Sequence, residues 1–295
     1  MSVLGVARAY ARLTKPGVTA GNVLTAIAGY FLATADYGFD WKVFLGMLTG
    51  MILVIGGACA LNNYYDRDID ARMARTKTRP SVSGNLSATG MQLFAWVLFI
   101  IGTLVLYATT NILTVAIGVI GFVTYVWVYG MWAKRRSIHG MAVGAIPGAL
   151  PIAGGYAAAS GFIDPGMIIA FLIMFFWQFP EFYAITIYRR KEYKAAGIPA
   201  MPVVVGIRTT IVQIFIYTIL YVLSTLSLVL SGYVGTMYGI IMTIAGAYWV
   251  YIGYQGLRVG DNYKYADAWA RKMFRFSMVT ILLLCLMLSV GPFLP

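Results

Sequence analysis

Apolar residues fill this chain in long blocks, and polar residues are confined to the gaps between them. Nine blocks, at roughly 17–34, 43–62, 91–109, 111–130, 141–160, 166–187, 210–231, 236–256 and 273–292, approach the ~20 residues that carry a helix across a bilayer. Hydrocarbon offers no partner for backbone N–H and C=O groups, so each block must bond within itself, which predicts helices. The expected fold is all-α: a polytopic membrane protein of nine transmembrane helices, with residues 1–295 as one domain and no soluble domain beside it.

The gaps alternate in character. Residue 110 is little more than a turn, and Gly161-Phe162-Ile163-Asp164-Pro165 is turn punctuation. The gaps at 63–90 and 188–209 are longer and hold most side chains capable of chemistry. Four blocks separate them, which suggests two four-helix halves, about 17–130 and 141–256, plus a ninth helix.

Composition agrees, at 60% hydrophobic and 11% charged, against about 25% charged in soluble domains. A net charge of +12 would suit nucleic acid, but the distribution argues against it: of 22 Lys and Arg, only Lys42 falls in an odd-numbered gap. The positive-inside rule then places the N-terminus and the even-numbered loops in the cytoplasm and Pro295 outside, with some attraction for anionic lipid. Cys59 and Cys285 lie inside apolar blocks, without disulfide or metal spacing. Arg8, Arg12 and Lys15 ahead of a block ending Ala33-Thr34-Ala35 imitate a signal peptide. The block's length and the eight that follow predict a retained anchor in a bacterial plasma membrane.

Against this scarcity of charge, LNNYYDRDIDARMARTKTRP at 61–80 stands out. Asn62, Asp66 and Asp70 are spaced four and four, so a helix puts them on one face, while Asp68 projects elsewhere among Arg67 and Arg72. Like charges at that spacing repel, and carboxylates near lipid cost more. A hard cation offsets both, and oxygen donors shared with phosphate suit Mg²⁺. Arg75, Thr76, Lys77 and Arg79 follow at once with positive charge and hydroxyls, and arginine grips phosphate with two parallel bonds. The stretch predicts a metal–diphosphate site.

The second polar loop repeats the theme more sparsely. Glu181 lies inside an apolar block, where an acid marks a functional site by default. Glu192 follows eleven residues later, which an unbroken helix would align with it. Pro180 and Gly197 bracket that helix. Gly140, Gly144 and Gly148 step through the fifth block beside Pro147 and Pro151, a pattern for close helix packing that could also seat a large flat ligand. The one histidine, His139, sits just ahead of it, next to Lys134, Arg135 and Arg136.

Together these residues resemble the UbiA-type intramembrane prenyltransferases, and within them the haem-farnesylating branch (protoheme IX farnesyltransferase, or haem O synthase). Asn62-x-x-x-Asp66-x-x-x-Asp70 with Arg75-Thr76-x-x-Arg79-Pro80 is similar to the first motif of the whole superfamily. The haem branch is matched by Asn63, Asp66-Arg67-Asp68-Ile69-Asp70, Met73, Lys134-Arg135, Trp177-Gln178-x-Pro180 and Tyr193-x-Ala195-Ala196-Gly197-Ile198-Pro199 with Met201-Pro202-Val203. Lys15-Pro16-Gly17 and Asn22 match the family's opening. The family commonly has His where this chain has Glu181, and Asp where it has Glu192.

The resemblance implies a nine-helix UbiA-like bundle that moves a farnesyl group from farnesyl diphosphate to a vinyl group of haem B, with water addition, to give haem O. It implies Mg²⁺ held by Asp66, Asp70 and Glu192, with Asn62 orienting the diphosphate and Lys15, Arg75, Arg79 and Lys191 neutralising it. Lys134, Arg135, His139, Trp177 and Glu181 are the residues it suggests for haem. Membrane lipid and a product acceptor, haem A synthase or a terminal oxidase, are the implied partners; nucleic acid is not one. A sibling prenyltransferase using an aromatic or lipid acceptor shares the first motif, and a solute or cation transporter would also carry intramembrane acids. Transporter sites sit near the midplane, whereas these acids gather at one end.

Overall fold

A computed structural model describes residues 2–84, 86–259 and 263–295. Among them, nine helices are long and apolar enough to cross a membrane. They are α2 (Pro16–Tyr37), α3 (Trp41–Tyr65), α5 (Ala88–Thr109), a fourth span made of α6 (Ile112–Val123), a π-helix (Thr124–Ala133) and α7 (Lys134–Arg136), then α8 (Gly140–Ser160), α9 (Pro165–Tyr188), α12 (Ile207–Leu230), α13 (Thr236–Leu257) and α14 (Tyr263–Val290). Shorter helices fill the polar ends: α1 (Val3–Leu13), α4 (Arg67–Asp70), α10 (Arg190–Ala195) and α11 (Met201–Val204).

The turns at the end opposite the polar loops are closed by side-chain caps. Asp40 Oδ1 accepts from the Lys42 and Val43 amides at 2.7 and 3.1 Å. Asp164 Oδ1 accepts from Met167 at 2.9 Å, and Asn111 caps α6 through Thr114 at 3.0 Å. Each satisfies orphan amides of a helix start that hydrocarbon would leave bare.

Buried side chains of the spans form two large clusters, and a third, smaller one joins the polar loops. One large cluster is built on α3, α5 and the fourth span, the other on α8, α9 and α12 to α14. The first span contributes to both, and it crosses α8 at backbone contact. A side chain at Gly29 would strike the Ile152 carbonyl, and one at Gly155 the Ala26 carbonyl. Lipid tails are as apolar as leucine, so close packing of this kind, rather than expulsion from water, holds the spans together.

Three boundaries differ from the sequence expectation. The ninth helix starts at Tyr263, ten residues before the apolar block, and Asp267 on its first turns pairs with Arg190 of α10. The fourth span runs on to Arg136, carrying three basic residues out of the bilayer on a continuous helix. The helix after Glu181 breaks at Arg189 (φ −109°, ψ 14°), so Glu181 and Glu192 are not aligned on one uninterrupted helix.

Candidate active site

The aspartate stripe is built on the end of α3. Asp66 leaves helical geometry (φ −83°, ψ 0°), yet its amide still bonds the Asn62 carbonyl at 2.9 Å and the Asp70 amide bonds the Asp66 carbonyl at 2.8 Å. The four-residue ladder therefore survives the junction and keeps Asn62, Asp66 and Asp70 on one face. They are 2%, 1% and 3% exposed, whereas the Asp68 side chain is 53% exposed. Asp68 takes two 2.8 Å hydrogen bonds from Arg135, whose guanidinium also donates to the Tyr65 carbonyl at 2.8 Å. Those bonds hold the Asp68 carboxyl down to about 2. Asp68 braces the end of α3 and does not face the buried stripe.

Each buried stripe residue has its own cation. Lys134 Nζ donates to Asp66 Oδ2 at 2.5 Å, and Arg79 Nη1 to Asp70 Oδ2 at 2.7 Å and to Asn63 Oδ1 at 3.3 Å. Lys15 Nζ donates to Asn62 Oδ1 at 2.7 Å and to the Tyr125 hydroxyl at 3.4 Å. Lys15 is the one described non-glycine residue with positive φ, at 49°, between the end of α1 and Pro16. A strained residue of this kind persists only where its surroundings over-determine it. Here Asn62 and Tyr125 hold its side chain, and Asn63 Nδ2 anchors the preceding turn by donating to the Leu13 carbonyl at 2.8 Å. Burial pushes the Lys15 ammonium down to about 8.

Tyr125 and Lys134 reach this face because the fourth span changes helix type. Tyr125, Tyr129 and Lys134 are spaced four and five. Nine residues make about two turns of π-helix but two and a half of α-helix, so a plain α-helix would send Lys134 to the side opposite Tyr125. The Lys134 amide bonds the Tyr129 carbonyl five residues back, as the π register requires. Tyr125 and Tyr129 stack at 6.0 Å between centroids. A side chain at Gly130 would strike the Asn62 amide nitrogen. Tyr125 and Tyr129 escaped the sequence reading, since a search at the α-helical period cannot group them with Lys134.

The second polar loop docks on the first. Ile69 and Met73 pack with Ala196 and Ile198, and Tyr193 lies against them. Burial pushes the Tyr193 phenol above its usual 10, against the pull of Arg75, Lys134 and Arg189. Glu192 is half-buried beside them, its Oε1 accepting from Arg189 at 3.0 Å. Arg75 and Lys191 are exposed. Among the described residues, no three of His, Cys, Asp and Glu stand close enough to hold a metal ion, so Glu192 is not gathered with Asp66 and Asp70 in this state. Their carboxylates are taken by Lys134, Arg79 and Arg189 instead. The donor set nevertheless suits Mg²⁺. Asp66 Oδ1 and Glu192 Oε2 are buried without a hydrogen-bond partner, as is Asn62 Nδ2, and all the acidic donors are hard oxygens.

The residues suggested for haem are scattered. Arg135 braces Asp68, and His139 is exposed at the start of α8. Trp177 is turned into the core, where its indole N–H donates to the Ser277 carbonyl and Thr280 hydroxyl at 3.1 and 3.2 Å. Glu181 is half-buried, on the same helix as Gln178, whose amide donates to the Ala145 carbonyl at 2.9 Å. The glycine stripe of α8 is packed rather than open: Gly144 faces the Tyr129 ring and Gly148 the Gln178 amide.

Known proteins resemble this chain over most of its length. The UbiA prenyltransferase family matches residues 22–290. The protoheme IX farnesyltransferase of Photorhabdus laumondii is 39% identical over 286 residues, 97% of this chain and 96% of its own. That of Yersinia pseudotuberculosis is 41% identical over 281 residues, 95% and 94%. Among solved structures, a digeranylgeranylglyceryl phosphate synthase superposes with TM-score 0.80 at 17% identity over 96% of this chain and 98% of its own. A UbiA homolog from Archaeoglobus fulgidus bound to DMAPP and Mg²⁺ gives TM-score 0.69 at 15% identity over 92% and 99%. The chain belongs to the UbiA prenyltransferase family.

Proposed function

We propose that this chain transfers the farnesyl group of farnesyl diphosphate to a vinyl group of haem B, with addition of water, giving haem O in a Mg²⁺-dependent reaction. The observation that carries the reading is the agreement, over 95–97% of the chain, with relatives named for that activity. The buried Asn62–Asp66–Asp70 face ringed by Lys15, Arg79 and Lys134 supplies chemistry of the required kind.

Departure of diphosphate is the demanding step, because charge grows on its oxygens as the C–O bond breaks. Catalysis is then electrostatic: cations fixed beforehand stabilise that charge without reorganising. Lys15 and Arg79 reach the site from two sides, and Lys134 from a third. Arg75 and Lys191, both exposed on the two polar loops, would meet the diphosphate from outside. Asp66 and Asp70, with Glu192 from the docked loop, would hold Mg²⁺. When bound there, Mg²⁺ would supply positive charge that neutralises the departing diphosphate. Asn62 holds Lys15 in place and can orient the diphosphate.

The stacked Tyr125 and Tyr129 rings give the allylic cation an electron-rich wall that excludes water. The vinyl π electrons form the new bond to the farnesyl terminus, and the cation left on the haem side chain takes water and releases a proton. The site lies at the cytoplasmic end of a bacterial plasma-membrane protein whose N-terminus is inside and Pro295 outside. Haem O would pass to a membrane partner such as haem A synthase or a terminal oxidase.

The test is direct. Purified protein is incubated in detergent with haem B, farnesyl diphosphate and Mg²⁺, and haem O is sought by mass. No haem product, together with turnover of a small aromatic acceptor, would overturn the reading in favour of a sibling prenyltransferase.

A further inference from the structure

The first helix has no part in the chemistry above, yet it carries three distinct faces. At 100° per residue, Ala9 and Leu13 fall on one side and are 7% and 0% exposed. Val3, Leu4, Ala7 and Ala11 form a second, exposed sector, in which Val3 and Leu4 are 88% and 70% exposed. Arg8 and Arg12, also exposed, lie one turn apart on a third sector that adjoins the apolar one. A helix with a buried side, an apolar side and a basic side is built to lie in a membrane interface.

Between α1 and the start of α5 runs an open groove of about 620 Å³. Ala7, Ala11, Gly90, Leu93 and Val97 line it, with the Tyr10–Phe94 ring pair 5.0 Å apart. Gly90 lets the two helices close up, since a side chain there would strike the Tyr10 hydroxyl. The groove contains no charged side chain, and its size is within the range that holds small ligands. Among the described residues, no carboxylate pairs with the arginines beside it. α1 contains no Asp or Glu, nor does any position from 71 to 163, which covers all of α5. The ion pairs among the described residues leave Arg8 and Arg12 out.

We infer that this groove is a binding site for an anionic phospholipid of the cytoplasmic leaflet, with an acyl chain along α5 and the headgroup phosphate on Arg8 and Arg12. Charge complementarity selects the lipid: two uncompensated cations beside an apolar trough on a membrane-spanning helix match a chain that ends in a negative head. The site is independent of the acceptor assigned above. It adjoins the catalytic face, because α1 ends at Leu13, whose carbonyl Asn63 holds, two residues before Lys15.

Native mass spectrometry of the delipidated full chain in detergent tests this, with phosphatidylglycerol and phosphatidylcholine of identical acyl chains titrated in turn. One phosphatidylglycerol should bind roughly 30-fold more tightly than phosphatidylcholine, from two arginines worth about fivefold each. The pair Arg8→Gln and Arg12→Gln should abolish that preference, and Ala11→Phe, which fills the groove, should weaken both lipids. Lys42→Gln, a change at the opposite end, serves as the folding control and should alter neither. Equal binding of the two lipids, or a preference untouched by the arginine pair, overturns the proposal. So does displacement of the bound lipid by farnesyl diphosphate at equimolar concentration, which would make the groove a substrate channel.

Discussion

Replacing Lys134 by methionine keeps the stem of the side chain and removes the cation nearest Asp66. Asp66 is 1% exposed, and its Oδ1 already lacks a hydrogen bond, so the change leaves Oδ2 bare as well. The nearest remaining charge is Arg135, at 3.8 Å from Oδ1 and engaged with Asp68. Stripping one partner from a buried ion pair costs about 3–5 kcal/mol, and Arg135 places this case near 3 kcal/mol. That corresponds to a fall of roughly 6 °C in the unfolding midpoint of a chain this large. Unfolding from detergent is commonly irreversible, so the midpoint is read at one fixed scan rate. The double variant Lys134→Met with Asp66→Asn removes both charges and should recover most of the loss, a coupling of about 2 kcal/mol. A Lys134→Met midpoint within 1–2 °C of wild type, or strictly additive losses, would refute the claim that this pair is a buried electrostatic unit.

Deleting Val128, which is 39% exposed on the fourth span, should return the π-helix to α register; the eight residues then separating Lys134 from Tyr125 would turn it about 80° away from Tyr125 and off Asp66. Farnesylation should then fall about a hundredfold with helical content unchanged; unchanged turnover would show that the register is immaterial. The Lys15 ammonium, at about 8, is charged below that pH. Affinity for an unreactive farnesyl diphosphate analogue should therefore weaken as pH rises from 7 to 9.5, and Lys15→Arg should flatten the profile. The stability sign is opposite. Folded Lys15 loses its proton below the unfolded value of 10.5, so unfolding free energy should rise between about 8 and 10.5. A flat affinity profile in the wild type would remove Lys15 from the diphosphate site. Gly155→Val presses a side chain onto the Ala26 carbonyl, and overpacking costs about 1–3 kcal/mol; an unaltered midpoint would mean the crossing of the first and fifth spans can relax.

What the sequence discloses depends on which physical signal a feature leaves. The nine spans are legible because a bilayer demands long apolar runs, and nothing else in the chain imitates them. The Asn62–Asp66–Asp70 face is legible because one α-helical period links it and the ladder survives the kink at Asp66. Its partners are legible only in part: the family resemblance names Lys15 and Arg79 for the same site, but not the contacts that seat them or the pairing of Lys134 with Asp66. Lys134 and Tyr125 are brought together by a π register that no hydropathy pattern marks, and Lys15 by a left-handed turn before a proline. α1 is too short and too basic to register as a membrane element, although its three faces are plain once it is known to be helical. Hydropathy also misses the start of the ninth helix, because its first ten residues stand outside the apolar block, where Asp267 pairs with Arg190 of α10. The break at Arg189 follows no proline or glycine, and it costs the expected alignment of Glu181 with Glu192.

The central claim is that the buried face of α3 is the reacting site and that Asp68 is its brace. The ratio of haem O formation by Asp66→Ala to that by Asp68→Ala tests it most directly. The account predicts that Asp66→Ala loses at least about a hundredfold, whereas Asp68→Ala, deprived only of its Arg135 bridge, stays within about tenfold of wild type. Equal losses in the two variants would contradict it.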